Sequence, residues 1–224
     1  MKILYFARKQ CKRSKNLYEF LKKNSTFIIY HEFDNHKEAK IHIKKYRYKK
    51  FDYLITFRSL FIVPQYLINN CKLSINFHPG TPKYRGIGCV NYALYNNEKY
   101  FGSTAHIIDK KIDHGPIIDV KKFKLKKTNQ LDDILQLTWD NMLKQAKKIL
   151  KNSFCDRNYI NQSIKDYEGD KWSNKIYSRN DLNKFYKIDL KSNKKDFNKK
   201  VRATSNKNFK PYIIFHDKKF ELKD

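Results

Sequence analysis

Cysteine is scarce in this 224-residue chain, and none of the four stands near another. Cys11, Cys71, Cys89 and Cys155 form no C-x-x-C pair, so no metal site is expected. Reduced, buried thiols in a cytoplasmic protein are the default. No apolar run approaches the roughly 20 residues that a membrane span needs, so no membrane partner is expected. The opening Met1-Lys2-Ile3-Leu4-Tyr5-Phe6 is too short for a signal peptide, lacks a small-residue cleavage site, and reads as a first strand. Acidic residues are few, 22 against 49 basic ones, for a net charge of +27. That excess admits nucleic acid, an anionic membrane or an anionic substrate. Only eight of the basic residues are arginines, and they do not cluster as base- or phosphate-reading forks do. Lysines are spread along the whole chain, and Asn, Ile and Tyr are also plentiful, as in an AT-rich genome. Composition drift and a functional basic surface both stand as readings. No internal repeat is found.

What is present is an ordinary apolar content with abundant aromatics, enough for a globular core. Strands are predicted over 2–7, 26–30, 51–57 and 72–77, and helices over 14–22, 35–46 and 64–67 between them. Phe51 to Ile55 is apolar apart from Asp52, as suits a strand buried on both faces. This alternation predicts an α/β fold, a Rossmann-like, doubly wound, mostly parallel sheet. A buried helix is predicted over 89–95 and strands over 102–109 and 117–123. The clearest helix spans 130–150. Its apolar stripe, which includes Leu131, Ile134, Leu135, Trp139, Met142 and Ile149, reads as core packing, with Thr128 or Asn129 as its cap. The chain divides into a catalytic domain, 1–151, and a carboxy-terminal region, 152–224. The latter opens as a polar linker over 152–200, with one short helix over 181–185. It closes with two short runs around His216-Asp217-Lys218, a carboxy-terminal β-hairpin appendage.

Three pieces fall on the crevice edge of such a sheet: Asn76-x-His78-Pro79-Gly80, Pro82-Lys83-Tyr84-Arg85-Gly86 and Ile112-Asp113-His114-Gly115. Residues i and i+2 of a strand face one side, so Asn76 and His78 point the same way from a strand's carboxyl end. An amide donor beside an imidazole can bind an oxyanion and move a proton. Asp113, in a glycine-flanked turn, can fix the histidine's tautomer or raise its pKa. No serine or cysteine stands among the three pieces as a nucleophile. The attacking group therefore comes from the substrate, and the reaction is a group transfer. His106, on a strand, reads either as structural or as a support behind the catalytic set, and His114 as lining its turn. Lys83, Tyr84 and Arg85 are either substrate contacts or a solvated basic loop. His31, His36, His42 and His216 read as surface residues.

Ser74-Ile75-Asn76-Phe77-His78-Pro79-Gly80, Tyr84-Arg85-Gly86, Gly102-Ser103-Thr104-Ala105-His106 and Ile112-Asp113-His114-Gly115-Pro116-Ile117-Ile118 together resemble the N10-formyltetrahydrofolate-dependent formyltransferases. The resemblance is dense over 72–119. It implies an enzyme with N10-formyltetrahydrofolate as co-substrate and Asn76, His78 and Asp113 as the catalytic set. The amine of the acceptor attacks the formyl carbon, Asn76 and protonated His78 hold the developing oxyanion, and Asp113 helps move the proton. Which group finally accepts that proton is open. The matching cofactor-binding segments are Leu60 to Val63, with Leu60, Ile62 and Val63, and Asp109 to Asp113, with Asp109 and Ile112.

Three branches of that family compete. A methionyl-tRNA enzyme carries a substantial carboxy-terminal β-barrel, for which the tail after the long helix is short. A glycinamide ribonucleotide enzyme has a glycine-rich phosphate loop after the first strand, where this chain reads Ala7-Arg8-Lys9-Gln10-Cys11. The nucleotide-sugar N-formyltransferases fit best, on the short tail with Val201-Arg202-Ala203-Thr204 and Pro211-Tyr212-Ile213-Ile214. The resemblance then implies a nucleotide-linked amino-dideoxy sugar as acceptor, surface-polysaccharide (O-antigen) synthesis as the setting, and a homodimer. Nucleic acid is not the expected partner. A silent, family-like domain that binds an anionic ligand is the reading from another class.

Overall fold

The structure, a computed structural model, describes residues 1–34, 39 and 43–222. The strands β1 (Lys2–Arg8), β2 (Phe27–Phe33), β3 (Phe51–Phe57) and β4 (Cys71–His78) are parallel. β5 is the two-residue Arg85–Gly86. β6 (Tyr100–Ile107) and β7 (Ile117–Lys124) continue the main sheet antiparallel. Among the described residues the main sheet has six strands, in the order β2-β1-β3-β4-β6-β7. It is the predicted mostly parallel, doubly wound α/β sheet.

Alternate residues of β1 show why both faces must be covered. Ile3, Tyr5 and Ala7 join one apolar cluster with α1 (Lys12–Lys23), which contributes Leu17 and Leu21. Leu4 and Phe6 join the opposite cluster with Ala39, Ile43 and Leu67, the last on α2 (Gln65–Asn69). Each fully buried large side chain of this kind stabilises the fold by about 1.5–3 kcal/mol. Most of the helix expected over 35–46 lies outside the described residues, as do His36 and His42. Three of its positions, Ala39, Ile43 and Tyr46, are buried. His31, expected at the surface, is half-buried instead. Its Nε2 lies 2.6 Å from the Tyr46 hydroxyl, and its ring stacks on Phe33.

After α3 (Cys89–Tyr95) and the β6–β7 pair comes the long helix α4 (Leu131–Cys155), which runs past the expected boundary at 151/152. Its cap is Gln130 rather than Thr128 or Asn129: the Asp133 carboxylate accepts the Gln130 N–H at 2.9 Å. The stripe is mostly core, but Leu135 and Trp139 are half-buried and line a cleft.

The expected linker holds more structure than its polar composition foretells. α5 (Tyr159–Lys165), β8 (Ile176–Tyr177), α6 (Arg179–Phe185) and α7 (Lys194–Thr204) fill it. Each of the three helices buries a single apolar side chain, Ile160, Leu182 or Ala203, and β8 buries none. β8 pairs with β5. The hairpin is present as β9 (Tyr212–Phe215) and β10 (Lys218–Glu221), joined by His216 and Asp217, both at positive φ as a tight hairpin turn requires. Cys11 and Cys89 are buried, as expected of the thiols, but Cys155 is exposed. Among the described residues no helix is long and apolar enough to cross a membrane.

Candidate active site

β4 delivers Asn76 and His78 to the carboxyl edge of the sheet, and antiparallel pairing sets His106 of β6 opposite Asn76. The turn between β6 and β7 brings in Asp113. Its backbone sits at φ 43, a left-handed conformation that aspartate tolerates better than most residues. The carboxylate then bridges the set. Oδ2 lies 3.2 Å from His78 Nδ1 and accepts the Gly86 N–H at 2.9 Å. Oδ1 accepts Asn76 Nδ2 at 3.3 Å and faces His106 Nε2 at 3.5 Å.

Asn76 is oriented by Thr56, whose hydroxyl donates to Oδ1 at 2.6 Å, so the amide nitrogen must face Asp113 and His106. His106 Nδ1 lies 2.7 Å from the Ile107 carbonyl, and its Nε2 stands 3.0 Å from the Asn76 amide nitrogen. His78 meets only acceptors: Asp113 at Nδ1, and the Tyr84 carbonyl at Nε2, 2.8 Å away. A ring held between two acceptors is an imidazolium. Burial, the largest influence, opposes that charge. Asp113, with Cys89 and the Tyr84 carbonyl, overcomes it and lifts the His78 pKa to about 9. For Asp113 burial again opposes the charge, yet His78 and His106 hold the carboxyl well below the usual carboxylate range. Removing one partner of such a buried pair costs about 3–5 kcal/mol.

Two glycines let this cluster close. Gly86 has φ +86, and a Cβ there would stand 2.2 Å from the Tyr177 carbonyl oxygen. A Cβ on Gly80 would stand 2.6 Å from His78 Nε2. Trp172 seals the cluster from the carboxy-terminal region. Its indole meets His106 and His78 edge-on, with centroids 5.0 and 6.1 Å apart, and its N–H donates to the Gly115 carbonyl at 2.8 Å. Sequence reasoning missed Trp172 and Thr56, and it allowed His106 a supporting place without naming its partner. Nothing in the local sequence around Trp172 signals its role; the register Asn76–His106 would have required the strand pairing.

Asn76, His78 and Asp113 line a cleft of about 1110 Å³, which Leu60, Ile62, Val63, Asp109 and Ile112 share. Ile62 and Ile112 are 54% and 44% exposed, an unpacked apolar wall. Asp109 accepts from His114 Nδ1 at 2.7 Å. Lys83, Tyr84 and Arg85 do not line the cleft. Lys83 pairs with Glu98 at 2.6 Å, and Tyr84 is buried with its hydroxyl on the same carboxylate. Arg85 is buried, donating to the carbonyls of Ser173 and Ile112 at 2.7 and 2.8 Å. It fastens the turn that carries Asp113. One cysteine does come near: Cys89 Sγ lies 3.6 Å from His78 Nε2 and donates to the carbonyls of Tyr84 and Gly86 at 3.2 and 3.4 Å. Among the described residues no three His, Cys, Asp or Glu side chains group so as to hold a metal ion.

An amide, an imidazolium and a carboxylate brought together at the carboxyl edge of a mostly parallel α/β sheet can donate to an oxyanion and move a proton. A family model described as Formyl transferase matches residues 3–150, more than half of the chain, and the chain belongs to that family. The methionyl-tRNA formyltransferase of Mycoplasmopsis pulmonis is 28% identical over 162 residues, covering 70% of this chain and 53% of that protein. The chain spans about half or less of the length of such curated relatives. A sugar N-formyltransferase from a Shewanella species has the same fold, with a TM-score of 0.71 and 18% identity, covering 100% of this chain and 96% of that one. An N-formyltransferase from Helicobacter canadensis, solved with folinic acid and dTDP-3-aminofucose, gives a TM-score of 0.66 at 22% identity, covering 91% and 80%.

Proposed function

We propose that the chain transfers a formyl group from N10-formyltetrahydrofolate to the primary amine of a nucleotide-linked amino-dideoxy sugar. The observation that carries the reading is the Asp113-bridged cluster of Asn76, His78 and His106 at the floor of a large cleft. The apolar wall of Leu60, Ile62, Val63 and Ile112 fits a flat pteridine ring. When bound, the folate supplies an electrophilic formyl carbon.

The roles follow from which contacts are weakest. The Asn76–Asp113 contact, at 3.3 Å, is longer than the His78–Tyr84 contact at 2.8 Å, and Asn76 is less buried than His78. Asn76 is therefore the donor that turns to a developing oxyanion, while the His78 imidazolium supplies fixed positive charge beneath it. The bond from the formyl carbon to the tetrahydrofolate nitrogen breaks as the amine's bond forms, and the proton that the amine loses passes to that departing nitrogen, with the Asp113–His78 pair relaying it. Cys89, facing carbonyls, takes no part, and transfer is direct.

The cleft carries Arg8, Arg58, Lys110, Lys111, Arg179 and Lys207, which suits the diphosphate of such an acceptor. Exposed Phe215 and Phe220 on the hairpin support a homodimer through that surface. We place the enzyme in the cytoplasm, in the synthesis of a surface polysaccharide. A second reading, formylation of methionyl-tRNA, is favoured by the curated relatives and the +27 charge. A transfer assay with N10-formyltetrahydrofolate separates the two, using dTDP-, UDP- and GDP-amino sugars and charged initiator tRNA. Turnover on a nucleotide sugar is expected. Turnover on the tRNA alone would reverse the choice, and turnover on none would leave a silent binding domain.

A further inference from the structure

Beside the floor of the cleft stands an arginine that the transfer chemistry does not use. β1 leads through α1 to β2 on one side of the sheet, β3 leads through α2 to β4 on the other, and β1 and β3 pair with each other. Open α/β sheets take ligands at such a reversal of strand order, outside the carboxyl ends of the strands. Here those ends carry Arg8, the last residue of β1, and Arg58, one residue past β3. Both line the same cleft as Asn76, His78 and Asp113.

The arginines at and beside this end of the cleft are not equivalent; Arg8 and Arg58 line it, and Arg13 does not. Arg8 lies 3.9 Å from the Asp34 carboxylate, and Arg13 is held by Asp140 through two contacts of 2.8 and 3.1 Å. Arg58 has no carboxylate partner among the described residues. One of its terminal nitrogens donates to Cys11 Sγ at 3.1 Å, and the guanidinium carbon lies 3.5 Å from the centroid of the Trp139 ring. Stacking on an aromatic fixes the planar fork while leaving in-plane N–H groups for an acceptor. The backbone at Arg58 has φ 54, where a side chain is strained and glycine is at ease, yet the position carries this chain's bulkiest cation. Strain of that kind points to a function held in place by its surroundings.

We propose that Arg58, held on Trp139, is an anion subsite of the cleft. It takes a phosphate or carboxylate oxyanion from a ligand whose reacting end lies at Asn76 and Asp113. The proposal rests on the transfer reading above. Two ligand groups offer that chemistry: the diphosphate of the nucleotide-linked acceptor and the glutamate carboxylates of the folate.

Calorimetric titration of the full chain tests this, comparing wild type with Arg58→Gln and Arg58→Lys. The probes are inorganic pyrophosphate, dTDP, and 5-formyltetrahydrofolate with and without its glutamate. Arg58→Gln is expected to weaken pyrophosphate and one of the two larger ligands by about tenfold or more, with a smaller loss for Arg58→Lys, which keeps the charge but not the fork. A loss for dTDP assigns the subsite to the acceptor. A loss confined to the glutamate-bearing folate assigns it to the folate tail. If Arg58→Gln binds every probe as wild type does, the subsite is overturned while the transfer reading stands. If wild type binds pyrophosphate through Arg58 but neither dTDP nor folate, the subsite stands and the transfer reading falls. Binding of no probe overturns both. Should Arg58→Gln fail to fold, phenylglyoxal modification of wild type, mapped by mass spectrometry, decides instead. Pyrophosphate must then protect Arg58, and absence of protection overturns the subsite.

Discussion

At the floor of the cleft, each polar side-chain atom of Asn76, His78 and Asp113 has a partner within the protein. In the carboxy-terminal wall of the same cleft, Arg179, Asn183, Lys207, Asn208 and Lys219 are exposed. The two regions solve different problems. Charge buried at the floor is tolerable only when paired and hydrogen-bonded, so its geometry is fixed before any ligand arrives. The wall keeps its cations in water, where each contributes little alone and can be exchanged at little cost. Under the proposed function, the chemistry belongs to the floor and the choice of acceptor to the wall.

Substitutions at the floor should break this contrast most sharply. Asp113→Asn removes the charge that both histidines face. Formyl transfer should fall about 1,000-fold or more, with circular dichroism confirming a folded chain. His78→Asn should cost about 100-fold or more in kcat. The double variant should lose little beyond Asp113→Asn alone, because the two act as one unit. Additive losses would mean that the pair is not coupled.

The pH dependence tests the same coupling without a substitution. The folded His78 pKa, about 9, lies above its ordinary 6.5. Its stabilising contribution is therefore complete below about 6.5 and is lost as pH rises through about 9. Activity that needs the imidazolium should be about tenfold lower at pH 10 than at pH 8, and Tm should fall over the same range. The smallest effect is expected at Cys89. Cys89→Ala removes a thiol that donates to two carbonyls and should change kcat by less than about fivefold. A loss on the scale of His78→Asn would instead point to a covalent step.

Much of the fold was readable from the sequence because its signals are local. β1, β3, β4 and α3 lie within a residue or so of their predicted spans. Asn76 and His78 could be paired from their spacing in one strand. Asp113 could be proposed from its glycine-flanked turn, and the family resemblance reinforced it, though it stands 35 positions along the chain from His78. The misses share a cause. His106 becomes a partner of Asn76 only through antiparallel register, and Thr56 through parallel register. Trp172 reaches the histidines from a stretch whose average composition is polar, because each helix there buries a single apolar side chain rather than a stripe. Arg85 looked like a solvated or ligand-facing cation. Two backbone carbonyls bury it instead, a kind of pairing that leaves no acidic residue in the sequence to betray it.

The central claim is that the floor meets its substrate already charged, with His78 as an imidazolium held by Asp113. Titration of the labelled His78 ring by NMR, in wild type and in Asp113→Asn, measures that directly. The account predicts a pKa of about 9 in wild type and a clearly lower value in the variant, where the carboxylate no longer opposes burial. A wild-type value near 6.5, unchanged by Asp113→Asn, would contradict it.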